Sequence, residues 1–171
     1  DSSDYIKKIE RVLVELNIKE STNSTVYYES CDLILIGKDI YGRDQLLNSN
    51  SAKAFFKMKN DAKKDSIELQ FISGFRSFDN QKKIIERKLN SGYSINQILK
   101  ENKLPGYSEH HTGDAIDFVS EELNSLSMNF ENSKEFKWLI KNANLYGFYL
   151  SYPKNNKNGI MYEPWHWMFK S

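Results

Sequence analysis

Along the first eighteen residues, Ile6, Ile9, Leu13 and Leu16 recur at helical spacing with Val12 beside them, and Ser or Asp is available to cap the start. That period predicts an amphipathic helix over "SSDYIKKIERVLVELNI". A second helix is expected from Ser51 through "SAKAFFKMKNDAKK", with Ala54, Phe55, Met58 and Ala62 facing inward. "FDNQKKIIERKLNSG" reads as a third, which Asp79 helps to cap and Gly92 closes. "INQILKEN" is a shorter helix ending before Pro105, and "SKEFKWLIKNAN" a Ser-capped one with Phe136, Leu139 and Ile140 packed inward. Between these the period shortens. Residues 33–37, "LILIG", read as a short buried segment, and residues 67–73 alternate Ile67, Leu69 and Phe71 as a strand just before Gly74. "AIDFV" is a strand carrying Asp117 at its middle, and "GFYLSY" and "WHWMF" are strands separated by the polar loop "PKNNKNG".

Helices and strands mix without a regular βαβ alternation, which predicts an α+β fold with a mainly antiparallel sheet. There is no internal repeat, low-complexity tract or linker. The expected organisation is one domain over residues 1–171, with residues 1–32 as a helical extension packed on it.

At 171 residues, with 39% hydrophobic and 27% charged positions, the chain has the make-up of a soluble globular protein that needs no staple. A net charge of +1 gives no reason to expect nucleic acid or an anionic membrane as partner. Lys-rich stretches such as "NQKKIIERK" read as solvated helix faces. Cys31 stands alone, so neither an intrachain disulfide nor a thiolate metal cluster is expected, which suits both cytoplasm and export. No apolar run approaches the ~20 residues a membrane span needs, and no signal peptide is visible. The chain starts at Asp1 rather than Met, from which a removed segment is expected.

Candidate chemistry lies in the histidines. All three fall in two short stretches with carboxylates nearby: "PGYSEHHTGDAIDF" holds His110, His111 and Asp117, and "YEPWHWMF" holds Glu163 and His166. A catalytic zinc site uses three protein ligands from His, Asp or Glu plus one open position. His110, Asp117 and His166 meet that need if strand 115–119 neighbours the strand of His166, with Gly113 turning the backbone between the first two. Adjacent His111 competes for the first place. Glu163, three residues before His166, is placed to take a proton from an attacking water. The alternative for a histidine is a hydrogen-bonded structural residue, and for Glu163 an exposed loop carboxylate.

These motifs carry a resemblance. "SEHHTGDAID" fits S-x-H-x-x-G-x-A-x-D, "EPWH" fits E-x-W-H, and "SGFRSFDNQ" lies upstream in the right order. From about Ile36 to Phe169 the chain resembles the zinc D-alanyl-D-alanine carboxypeptidases of the VanY type and their L,D-carboxypeptidase relatives, within the wider group that includes lysostaphin-like endopeptidases and the hedgehog domain. The resemblance implies a central antiparallel sheet flanked by helices, with one zinc ion at the sheet surface. It selects His110 over His111 as ligand with Asp117 and His166, and makes Glu163 the base. It also implies that Arg76 stabilises the oxyanion, and that Ser108 and Gln81 contact the substrate's terminal residue. The implied substrates are peptidoglycan stem peptides or their precursors, cut by a monomeric enzyme in the cell envelope. An endopeptidase of the same family and an inactive zinc-stabilised binding module are the competing functions. Asp114, Met168, Phe169 and His111 depart from common family residues, and the expectation is that they reshape the substrate pocket.

Overall fold

The structure is a computed structural model that describes residues 1–18, 24–157 and 160–171. Part of the predicted extension (19–23) and the end of the predicted loop 153–159 lie outside the described residues. Four strands form one sheet: β3 (Gln70–Ser73), β4 (Ala115–Val119), β5 (Phe148–Leu150) and β6 (His166–Phe169). They follow β1 (Leu33–Lys38) and β2 (Asp44–Asn48), which make a separate hairpin. The sheet order is β3-β4-β6-β5 and every neighbouring pair is antiparallel. All five positions of β4 are buried, because it is paired on both edges and covered on both faces. The fold is α+β, as the mixed periodicities predict.

Around the sheet run α1 (Ser2–Glu15), α2 (Ser49–Lys64), α3 (Phe78–Asn90), α4 (Ile95–Glu101) and α5 (Lys134–Asn142). Their starts are set by local capping. Asn48 accepts a hydrogen bond from the N–H of Asn50 at 3.2 Å, so α2 begins ahead of Ser51. Ser77, not Asp79, caps α3 through the Asn80 N–H. Asp79 sits in the first turn, where a negative charge suits the helix dipole, and bridges to Lys8 at 2.7 Å. Ser94 and Gln97 close a reciprocal capping box on α4.

Two sequence expectations need correction. Residues 33–37 are not a buried segment. Only Ile36 is buried, while Ile34 and Leu35 are exposed, and the β1–β2 register shifts between Leu35 and Gly37. On α5, Leu139 points inward but Ile140 is 51% exposed. The indole N–H of Trp138 donates to Asp65 at 2.8 Å and its ring stacks on Tyr146, which turns Trp138 inward and Ile140 out.

The main core joins Phe55, Met58 and Ala62 of α2 to Leu69, Phe71, Ile116, Phe118, Leu139 and Trp167. A second cluster packs Ile9, Val12 and Leu13 of α1 on Phe78, with Leu104 and Tyr107 at its margin. Helix α1 therefore braces the start of α3 and the loop that leads into the histidine pair.

The contrast on α5 is testable by urea unfolding. Leu139→Ala should cost about 2–5 kcal/mol by leaving a cavity. Ile140→Ala should stay within about 0.5 kcal/mol, as for an exposed position.

Candidate metal centre

Strand register sets the site. Ser73 on β3, Asp117 on β4 and His166 on β6 are neighbouring pairs across the sheet. His110 comes from a 3-10 turn, Glu109–Thr112, which Ser108 caps through the His110 N–H. The turn ends at Gly113 with φ 73°. A Cβ there would lie 2.8 Å from the Asn48 nitrogen, so glycine is needed for both conformation and space.

The structure brings His110, Asp117 and His166 together, fully buried, with one donor atom from each within 4.8 Å of the others. Asp117 lies between the rings: Oδ2 is 3.1 Å from His110 Nε2, and Oδ1 is 2.8 Å from His166 Nδ1. The far ring nitrogens are held. His110 Nδ1–H donates to the Gly74 carbonyl at 2.7 Å, and His166 Nε2–H donates to Glu109 Oε2 at 2.8 Å. Ser151 in turn donates to Glu109 Oε2 at 2.6 Å.

His111 faces elsewhere. Its Nδ1–H donates to the Arg76 carbonyl at 2.7 Å and its Nε2 accepts the Gly106 N–H at 3.0 Å. Both ring nitrogens are spent on tying the loop before the turn to the Arg76 backbone, so it is a brace.

The electrostatics match a cation site. Burial alone would raise the Asp117 carboxyl, yet His110 and His166 hold it well below the usual range. Burial pushes His110 down, so its ring is neutral, with Nδ1–H toward Gly74. Its Nε2 lone pair then faces a carboxylate oxygen with no hydrogen between them. Burial opposes charge on His166 too, but the hydrogen bonds its ring donates to Asp117 and Glu109 raise it to about 10. A divalent cation relieves this shortage of hydrogens. The residues present fit the metal, through His110 Nε2, an Asp117 oxygen and His166 Nδ1.

Around the donors lies a cavity of about 160 Å³. Glu163 lines it, 3.9 Å from His166 Nδ1. Burial lifts its carboxyl to about 7, with Asp117 and Glu109 adding to the rise and His166 and Lys103 opposing it. Arg76 lines the cavity too, its Nη1–H donating to Gln81 at 2.9 Å and its Nη2–H to Ser73 at 2.8 Å. Gln81 also donates to the Lys103 carbonyl at 2.6 Å, so most of its amide is engaged in holding Arg76 and that loop. Ser108 lines the same cavity. Tyr152 stacks on the His166 ring, centroids 5.0 Å apart. A larger groove of about 820 Å³ holds none of the metal donors but shares Arg76, Ile84 and Leu126 with the cavity, so the two are continuous.

None of the four departures from the family pattern lines the cavity. His111 is the brace described above, and Asp114 accepts a hydrogen bond from Ser51. Met168 and Phe169 lie further along β6, where Phe169 packs on Phe148. Sequence reasoning missed Glu109, Tyr152 and Lys103. The carboxylate directly before His110 in "SEHH" was the one available signal for Glu109.

The chain as a whole matches known proteins. The family profile of VanY, D-alanyl-D-alanine carboxypeptidase, matches residues 44–171. YodJ of Bacillus subtilis (strain 168), which carries a carboxypeptidase name, is 32% identical over 174 residues, covering 97% of this chain and 62% of its own. The D-alanyl-D-alanine carboxypeptidase of Enterococcus faecium is 33% identical over 138 residues, covering 79% of this chain and 41% of that one. The chain thus spans less than two thirds of either relative. Among solved structures, the LdcB LD-carboxypeptidase superposes with a TM-score of 0.73 at 32% identity, covering 83% of this chain and 69% of that one.

Its hydrogen bonds to Asp117 and Glu109 raise His166 to about 10, so at pH 8 it holds a proton that a cation must displace, whereas burial pushes His110 down and leaves it no surplus one. Zinc binding at pH 8 should therefore release about one proton, read by titration calorimetry in buffers of different ionisation enthalpy. Glu109→Gln should weaken zinc about 10- to 100-fold, as expected on loss of a carboxylate that orients a ligand ring. His166→Ala should bind no stoichiometric zinc, and His111→Ala should keep it.

Proposed function

The chain belongs to the VanY family of D-alanyl-D-alanine carboxypeptidases, and on that premise we propose that it is a zinc-dependent carboxypeptidase that removes the terminal D-alanine from peptidoglycan stem peptides. The observation that carries the reading is that Glu163 and Arg76 line the same cavity as the His110–Asp117–His166 donor set. A purely structural metal site needs neither a buried base nor an oxyanion donor.

A zinc ion held by the three residues supplies Lewis-acid chemistry, polarising a carbonyl and making a water more acidic. Glu163 takes a proton from the attacking water and delivers it to the leaving nitrogen. Its carboxyl, lifted to about 7 without metal, lies close to working pH, where one group can both accept and return a proton. Arg76 is pinned by Gln81 and Ser73, and donates to the scissile oxygen as negative charge builds there. The products are the shortened peptide carboxylate and free D-alanine. Gln81 acts chiefly by aiming Arg76, and Ser108 stands beside the terminal residue. Stem peptides as substrate place the enzyme's work in the cell envelope. Among the described residues no helix is long and apolar enough to cross a membrane.

Mass spectrometry of tetra- and pentapeptide stems incubated with zinc-loaded protein should show loss of one D-alanine. Cleavage inside the peptide instead would make it an endopeptidase, and no cleavage of any stem would leave a binding module. Glu163→Gln should keep its zinc yet lose most turnover. Glu163 also makes a pH-dependent demand on stability. Its folded-state carboxyl is raised, so ionising it costs folding energy above the usual carboxylate pKa, until about 7. Metal-free Glu163→Gln should therefore melt higher than wild type at pH 8 and nearly level with it at pH 4.

A further inference from the structure

The β3–β4 ladder ends at Ser73, opposite Asp117, after a shift in register between Phe71 and Ser73. Beyond it residues 74–76 leave the sheet, yet they touch two working parts of the site. The Gly74 carbonyl accepts the His110 Nδ1–H at 2.7 Å, and the Arg76 N–H donates to the His110 carbonyl at 3.0 Å. Whatever fixes this segment therefore fixes the ring of one metal donor and the backbone of Arg76.

The β1–β2 hairpin does so. The Phe75 N–H donates to the Leu46 carbonyl at 2.7 Å, and the Gly74 N–H donates to Gln45 Oε1 at 3.0 Å. A Cβ on Gly74 would overlap the Leu46 oxygen, so glycine is what lets the two backbones meet. Glycine also has the widest backbone freedom, and its carbonyl keeps one direction only if the peptides on both sides are tied. Gln45 is itself fixed at its other end, where Nε2–H donates to Asp39 Oδ2 at 2.9 Å. Asp39, buried in the hairpin's turn, also accepts the Tyr41 N–H at 2.8 Å, the Arg43 N–H at 3.0 Å and the Arg43 Nε–H at 2.7 Å. Burial would raise its carboxyl, but these donors hold it below the usual carboxylate range. An ionised carboxylate only accepts, so it takes the nitrogen end of the Gln45 amide and leaves the oxygen end to Gly74.

We propose that Asp39 and Gln45 are positioning residues of the metal centre, which act through Gly74 to hold the His110 ring with Nε2 toward the ion. The assignment goes beyond the carboxypeptidase reading and needs only the metal site. Gln45 also borders the larger groove, so direct contact with a substrate is the competing role.

Zinc affinity of the substrate-free protein, measured by competition with a chromophoric chelator, separates the two. Gln45→Met, which keeps the length of the side chain without its polar ends, should weaken zinc on the order of 10-fold, the lower end for groups that orient a ligand. Asp39→Asn should act in the same direction, and adding it to Gln45→Met should cost little more, because the two work in series. In zinc-loaded protein, the His110 Nδ1–H proton resonance should move upfield and exchange faster with water in either variant. Ile36→Ala loosens the same hairpin from the core without touching this chain of bonds. It should lower the melting temperature and leave zinc affinity and the resonance unchanged. Unchanged zinc affinity in Gln45→Met, with a raised KM as its only effect, overturns the proposal and makes Gln45 a wall of the groove. An equal loss in Ile36→Ala overturns it too, by reducing the effect to hairpin stability, and so do fully additive losses at Asp39 and Gln45. Wild type that binds no zinc overturns it together with the metal site. Wild type that binds zinc but trims no stem peptide, with the variants weakened as stated, ends the peptidase reading and leaves this assignment standing.

Discussion

A buried carboxylate wedged between two imidazoles governs this molecule. Asp117 presents one oxygen to each ring, and the far nitrogens of those rings already donate to Gly74 and Glu109. Too few hydrogens remain to satisfy the lone pairs that converge there. Without a cation the cluster depends on an extra proton on His166. With one, it becomes a set of three donors with fixed tautomers and an open side. Burying such a group costs free energy unless it is compensated, so this cluster belongs to function rather than to stability.

Much of the surrounding fold serves that arrangement. The antiparallel register places Ser73, Asp117 and His166 in line across three strands, so the sheet fixes a ligand at its centre. Gly113 lets the backbone return to β4 directly after the turn that supplies His110. His111 ties that turn to Arg76, and α1 packs beneath both loops through Phe78 and Tyr107. The histidine pair divides its labour: one ring faces the metal donors, and the other holds the loop that presents the first.

The donor set was legible because so few residues carry that chemistry. Three histidines in two motifs, with Asp117 at the middle of a clear strand, leave little choice once the family pattern selects His110. Glu109 was hidden because spacing does not reveal ring orientation. Which nitrogen of His166 faces inward depends on a partner 57 positions away in sequence. Lys103 was hidden for a related reason, since only tertiary packing brings the loop after α4 against Tyr152. Strand β2 escaped notice because "DQLLN" is short and half polar, and forms only where β1 gives it a partner. The inward face of α5 was misread because Trp138 finds Asp65 across 73 positions, a contact that no local period encodes.

The most direct measurement is anomalous diffraction at the zinc absorption edge from crystals of the zinc-loaded protein. The account predicts one peak, ~2 Å from His110 Nε2, an Asp117 oxygen and His166 Nδ1, with His166 Nε2 still bonded to Glu109. A peak bound through His166 Nε2 or through His111, or no peak between these side chains, would contradict it.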